Sequence, residues 1–170
     1  MVNPQERKHI DETSLERLKT AHPRLREELE TILYECANIG VGVRYTSVLR
    51  SDEEQNALYA LGRTKPGKIV TNVQGGGSYH NYGLAVDIVL YLDGGKKVSW
   101  DRNKDFDGDG EADWMEVVRI FKKHGWEWGG DWKSFKDYPH FQKRFGLTTR
   151  QLSDRRQRGH VDKDGYVILD

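Results

Sequence analysis

A single cysteine, no excess of either charge and no long apolar run set the first limits on this chain. Cys36 alone cannot close an internal disulfide, and cysteine-rich zinc sites are excluded with it. It sits in a helical pattern, where a small buried side chain is the expected role. Lys and Arg together number 27, as do Asp and Glu, so the net charge is zero and no bulk attraction to nucleic acid is expected. No apolar segment approaches the roughly 20 residues of a membrane-spanning helix. The opening residues, from Met1 to Lys8, are polar, which predicts synthesis in the cytoplasm without a signal peptide. At 170 residues the chain is long enough for one domain with a true core and too short for two.

Apolar residues recur at helical spacing over 13–38, with Pro23 expected to divide a short helix from a longer one. Residues 41–49 are rich in β-branched side chains and predict a strand. Ser51-Asp-Glu-Glu54 is a capping box that opens a helix through about Leu61. Residues 62–77 predict a loop, and its triple glycine lacks the Gly-Lys-Ser/Thr ending of a phosphate cradle. A second strand is expected over 85–92, then a hairpin turn at Asp93-Gly-Gly95 and a return strand over 96–100. A helix over 113–124 ends at His124-Gly125. Beyond it, a short arginine-rich helix and a strand at 165–169 complete the chain. The elements predict an α+β fold, a small, mainly antiparallel sheet with packed helices. One domain over 1–146 and a C-terminal extension over 147–170 are expected.

The residues that carry chemistry gather around Ser78-Tyr-His-Asn-Tyr-Gly-Leu-Ala-Val-Asp87. A carboxylate at the mouth of a buried strand is costly unless something positive meets it. Asp87 follows His80 by seven residues, with Gly83 between them to turn the backbone, and Asp137-Tyr-Pro-His140 stands far downstream. Two imidazoles and one carboxylate suit zinc with one position left for water. The chain holds no His-Glu-x-x-His, which excludes the helix-borne zinc proteases. A second cation site is predicted at Asp105, Asp107, Asp109, Glu111, Asp113 and Glu116, which fit the twelve-position calcium loop with Gly110 at its sixth position. Arg50, between a strand end and a helix start, is either a functional side chain or a surface arginine. Trp126, Trp128 and Trp132 either wall a pocket or lie in the core. His9, His22 and His160 have no partner pattern.

Ser78-x-His80, Gly83-x-Ala85-x-Asp87 and Asp137-x-x-His140, with Ser47-Val-Leu-Arg50 through Gln55 and Trp128-Gly-Gly-Asp-Trp132, resemble the M15 zinc peptidases of bacterial cell walls. The nearest likeness is to the L-alanyl-D-glutamate endopeptidases, which include phage endolysins of the T5 type, and it spans about Leu15 to Phe145. The resemblance implies that His80, Asp87 and His140 bind zinc and that Asp137 is the general base, where several relatives carry glutamate. It implies that Arg50 faces the substrate carbonyl, and that Ser78 and Trp128 lie at the substrate. The calcium loop is similar to one in the T5-type enzymes, where calcium is thought to regulate activity. The expected partner is the peptidoglycan stem peptide. The chain is expected to be a monomer, most simply a phage lysin that reaches the wall or periplasm of a Gram-negative cell after release by a holin, with a bacterial hydrolase or a prophage copy as the alternative origin. A D-alanyl-D-alanine carboxypeptidase, a non-catalytic wall-binding module with hedgehog-like zinc geometry, and a calcium-binding structural protein are the alternatives.

Overall fold

The structure, a computed structural model, describes residues 3–170. Five strands form one antiparallel sheet: β1 (Val43–Ser47), β2 (Ala85–Leu92), β3 (Lys97–Ser99), β4 (Glu127–Trp128) and β5 (His140–Gln142). The order is β1-β2-β5-β4. β3 pairs with β2 at Leu90–Leu92, beyond the stretch Ala85–Asp87 that β5 occupies. Around the sheet lie the helices α1 (Pro4–Arg7), α2 (Glu12–Arg17), α3 (Arg26–Asn38), α4 (Asp52–Ala60), α5 (Asp113–Lys123) and α6 (Thr149–Gln157). None of them is long and apolar enough to cross a membrane.

Alternation along β2 divides the sheet into two functional faces. Val86, Ile88 and Leu90 are fully buried against the helices, while Asp87 points to the other side. Leu29, Ile32, Leu33 and Cys36 of α3 and Val117, Val118 and Phe121 of α5 cover the apolar face. Phe121 stacks on Phe141 of β5 with centroids 4.1 Å apart and meets Tyr45 edge-on at 6.4 Å. The Tyr45 hydroxyl donates to Leu29 O at 2.7 Å, so this fully buried phenol is paired. Cys36 is buried in this cluster, and burial pushes its thiol well above the usual range.

The helical pattern over 13–38 is interrupted more deeply than a single proline break. α2 stops at Arg17, 3₁₀ turns follow at Leu18–Thr20 and Pro23–Leu25, and α3 begins at Arg26. Pro23 is one cause, since it lacks the N–H a continuous helix would use. The other lies outside the segment: His22 N donates to Gly83 O at 2.9 Å. A Cβ on Gly83 would come within 2.5 Å of His22 N, and its φ of +69° also favours glycine. A tertiary hydrogen bond of this kind leaves no periodic mark in the sequence.

Residues 147–170 pack on the same core. Leu152 of α6 is fully buried, with Val167 and Leu169 beside it. His22 Nε2 donates to Val167 O at 2.8 Å, Tyr166 Oη donates to Thr20 O at 2.8 Å, and Arg156 makes a bidentate pair with Asp52. Val161 and Val167 form one isolated bridge, so the strand expected over 165–169 is not made. Burial of Leu152 sets a measurable expectation. Leu152→Ala should cost about 2–5 kcal/mol through lost contacts and the cavity left behind. Urea denaturation reads this directly, and an unchanged midpoint would mean that the segment is not packed as described.

Candidate metal centre

The site lies on the polar face of the sheet and is built from cross-strand pairs. Asp87 of β2 is directly opposite His140 of β5 and opposite Ser47 of β1. Ser47 faces this way because of an irregularity in β1. Tyr45 opposes Ile88 whereas Ser47 opposes Asp87, so one extra residue is accommodated at Thr46. Without that bulge, Ser47 would share the core face with Tyr45.

His80 arrives from outside the sheet, on a single 3₁₀ turn, Tyr79–Tyr82. Ser78 caps this turn, its Oγ accepting from His80 N at 3.2 Å. Asn81, nearly buried, ties the turn to its surroundings. Its Oδ1 accepts from Gly76 N and Ser78 N, and its Nδ2 donates to Arg50 O and Ser51 O. One amide therefore joins the glycine loop, the histidine turn and the start of α4.

His80 Nε2 lies 3.2 Å and His140 Nδ1 3.1 Å from the same oxygen, Asp87 Oδ1. The two other ring nitrogens are engaged elsewhere. His80 Nδ1 is 2.8 Å from Val48 O, an acceptor only, so that nitrogen carries the proton. His140 Nε2 is 2.8 Å from Gln142 Oε1. With one proton per neutral ring used in this way, two lone pairs and a carboxylate oxygen face a common point. That donor set fits a divalent cation and, without one, demands an extra proton. The proton affinities carry the same demand. Burial alone would raise Asp87, but His80 and His140 hold it far below the carboxylate range. Burial alone would lower His140, but Asp87 raises it above its ordinary value.

Arg50 is not a surface arginine. Its Nη2 donates to Ser47 Oγ at 3.1 Å and reaches Asp87 Oδ2 at 3.4 Å, while Nη1 donates to Gln55 Oε1 at 2.9 Å. Gln55 is fully buried in α4, and its Nε2 donates to Thr71 Oγ1 and Val73 O, which fastens the loop before the histidine turn. A cleft of about 600 Å³ opens beside Arg50, with Tyr82, Arg156 and Tyr166 in its lining.

Asp137 stands at the mouth of the site. The residue is exposed, but its carboxyl is partly desolvated where it faces the site, and this and then the charge of Asp87 push it above the usual range. Its backbone is fixed from Gly129, whose carbonyl accepts from Asp137 N at 3.0 Å. A Cβ on Gly129 would come within 2.2 Å of Asp137 O, so the two strands of chain touch backbone to backbone.

The family resemblance implies that Ser78 and Trp128 lie at the substrate, and the structure shows the protein contacts that each makes. Ser78 Oγ is occupied as the turn cap described above. Trp128 is 8% exposed and donates its indole N–H to Tyr138 O at 2.7 Å, as a member of the core cluster. The tryptophan that meets the site is Trp132, whose ring is 5.3 Å from that of His140.

At the acidic loop, two overlapping groups of carboxylates, Asp105–Asp107–Asp113 and Asp107–Asp109–Glu116, could each hold a metal ion. Asp105 accepts from Gly108 N and Gly110 N, and Asp109 accepts from Glu111 N. The Glu111 side chain turns outward to Arg119 and belongs to neither group. Glu116 is 2% exposed and its Oε2 has no hydrogen-bond partner. Burial first, then Asp109, pushes its carboxyl up to about 8.

Comparison with known proteins fits this geometry. A family model described as D-alanyl-D-alanine carboxypeptidase, of the M15 peptidases, matches residues 71–143. The chain is 49% identical over 121 residues to peptidoglycan L-alanyl-D-glutamate endopeptidase CwlK of Bacillus subtilis, covering 71% of this chain and 72% of that protein. It is 36% identical over 103 residues to the L-alanyl-D-glutamate peptidase of Listeria phage A118, covering 61% of this chain and 31% of the relative. The crystal structure of the Serratia marcescens L-Ala D-Glu endopeptidase ChiX superposes with a TM-score of 0.52 at 29% identity, over 79% of this chain and 88% of that one. The chain belongs to the M15 peptidase family. It is an enzyme of the metallopeptidase class, on an α+β scaffold of the M15 type.

Sequence reasoning found the three converging side chains and missed what holds them. Gln55 and Asn81 reach partners distant in sequence, and the Gln142 amide links His140, two residues away, to Glu127 on the neighbouring strand. The Asn81 hub carries a prediction. Asn81→Asp replaces two donors by acceptors that face the Arg50 and Ser51 carbonyls, which should cost about 1–3 kcal/mol or more. Chemical denaturation should show that loss; an unaltered midpoint would remove Asn81 from the framework.

Proposed function

We propose that this protein is a zinc-dependent peptidoglycan endopeptidase that cleaves the L-alanyl-D-glutamate bond of the stem peptide. The observation that carries the metal chemistry is the convergence of His80 Nε2, His140 Nδ1 and the Asp87 carboxylate on one point, each ring's other nitrogen already hydrogen-bonded. Bond choice rests on the relatives, whose names give that bond for the Bacillus, Listeria phage and Serratia proteins.

His80, Asp87 and His140 would hold the zinc ion. Bound there, zinc would supply a water of lowered pKa, toward about 7, and a Lewis acid for the scissile carbonyl. Asp137, at the exposed mouth with its carboxyl raised, would accept the water's proton and return it to the leaving amine. Arg50, braced by Ser47 and Gln55, presents its guanidinium to the negative charge that develops on the carbonyl oxygen. Ser78 and Trp128 support this constellation as turn cap and packed indole. A separate pore would bring the protein, acting as a monomer, to the wall.

D-alanyl-D-alanine carboxypeptidase activity is the second reading, favoured by the description of the family model over 71–143. Digestion of purified peptidoglycan, with mass spectrometry of the fragments, separates the two bonds. Zinc content measured on the same samples separates the roles. Asp137→Asn should keep zinc and lose about 10²–10⁴-fold in rate. His80→Ala should lose both zinc and turnover, and Arg50→Ala should lose rate alone. Normal turnover by Asp137→Asn would remove it as the base, and release of terminal D-alanine alone would favour the second reading.

We also propose that the loop from Asp105 to Glu116 binds calcium, through Asp105, Asp107, Asp109, Asp113 and Glu116 side chains and the Glu111 main chain. The unpartnered, buried Glu116 oxygen supports this reading, because a cation would resolve its cost. The pH dependence follows from linkage. Without calcium, folded Glu116 keeps its proton up to about pH 8, while the unfolded chain releases it near 4.5. The folded state binds more protons across that window, so raising the pH through it should lower stability. Thermal unfolding in a calcium chelator should show the midpoint falling from about pH 5 to about pH 8. Calcium should raise the midpoint and flatten the curve, and identical curves with and without calcium would refute the site.

A further inference from the structure

The outer nitrogen of His140 faces a side-chain amide, and that amide is itself held by a carboxylate. Gln142 is two residues beyond His140 on β5, so both side chains leave the same face of the strand. Gln142 Oε1 meets His140 Nε2 at 2.8 Å, and Gln142 Nε2 donates to Glu127 Oε2 at 3.0 Å. Glu127 lies opposite Gln142 in the β4–β5 pair, and its other oxygen accepts from Arg144 Nε at 2.8 Å. Gln142 is 8% exposed, so its amide cannot exchange either partner freely for water.

An amide can present an acceptor or a donor to the ring, and the two choices have opposite consequences. With the oxygen inward, His140 carries its proton on Nε2 and leaves the Nδ1 lone pair toward Asp87. With the nitrogen inward, His140 would have to accept at Nε2, and the proton would move to Nδ1, in the path of the metal. Glu127 decides between them, because only the amide nitrogen can donate to its carboxylate.

We infer that Gln142 and Glu127 are positioning residues for the zinc site: Glu127 fixes the Gln142 amide, which in turn holds His140 in the tautomer that offers Nδ1 to the ion. Neither touches the metal or the substrate. The inference rests on the metal-centre reading above and adds to it two residues and an order of action, Glu127 through Gln142 to His140.

The test uses the full chain in excess calcium, which keeps the acidic loop from competing for zinc. Zinc affinity is read by competition with a chromophoric chelator, and the tautomer of His140 by ¹⁵N chemical shifts in the zinc-loaded protein. Gln142→Leu should weaken zinc about 10–100-fold, the usual loss when an outer partner of a ligating histidine is removed. Glu127→Gln preserves shape at a half-buried strand edge, so it should fold, and should weaken zinc by a smaller factor. The double variant should bind zinc as Gln142→Leu does, since Glu127 acts only through the amide. Wild-type protein should show protonated Nε2 and coordinated Nδ1 at His140. Variants that bind zinc within about twofold of wild type would overturn the inference and leave the metal centre standing. Additive losses in the double variant would likewise overturn the order of action. A wild-type chain that takes up no zinc would instead bring down the metal centre itself, and this inference with it.

Discussion

Everything at the site depends on the charge of Asp87. One of its oxygens is shared by two imidazoles and the other reaches Arg50, so four elements of the chain meet on a single carboxylate. A half-buried negative charge of this kind costs several kcal/mol unless it is compensated. Its neighbours are arranged so that compensation comes from outside the chain. His80 and His140 have their outer nitrogens hydrogen-bonded and turn their remaining nitrogens inward. Arg50 supplies part of the balance, but at 3.4 Å and with its other contacts on Ser47 and Gln55 it does not neutralise the group by close pairing. As a set of neutral rings around one carboxylate the site is electrostatically incomplete, and either a proton on His140 or the divalent ion proposed above would complete it.

The sheet makes that incompleteness affordable by rigidity. Pairing sets Glu127 opposite Gln142 and Asp87 opposite His140, and the bulge at Thr46 turns Ser47 to the same face. On the reverse face, Phe141 between those two polar residues stacks on Phe121, which also meets Tyr45 and Trp126. Each polar side chain of β5 is thus backed by a core contact one residue away. Moving His140 by a fraction of an ångström would require the aromatic cluster to repack, and close-packed interiors resist that.

The parts of this architecture legible in the sequence are those with a local period or a local motif. The run 85–92 is β2 to the residue, the capping box at Ser51 opens α4, and the apolar face of 113–124 is α5. His80, Asp87 and His140 could be chosen because carboxylate and imidazole in that pattern are costly to leave unexplained. The parts that were not legible are tertiary. Nothing near Pro23 announces that His22 will bond to Gly83, or that its ring will hold Val167. Of three tryptophans within seven residues, composition cannot say that Trp128 is packed away and Trp132 is the one beside His140. Gln55 and Gln142 belong to a residue type with no strong positional preference, and their meaning comes wholly from what faces them.

The acidic loop repeats the logic of Asp87 with less protein around it. Glu116 is buried without a partner on one oxygen and sits in the first turn of α5, where the helix dipole helps but cannot offset Asp107, Asp109 and Asp113. Five residues further along α5, Phe121 is the ring on which Phe141 stacks, and Phe141 directly follows His140. The acidic loop and β5 therefore share α5 as a common packed element. The residues between them, Val117, Val118, Ile120 and Phe121, are apolar and buried, so the acidic loop and the polar face of the sheet are separated by core and not by a chain of charges.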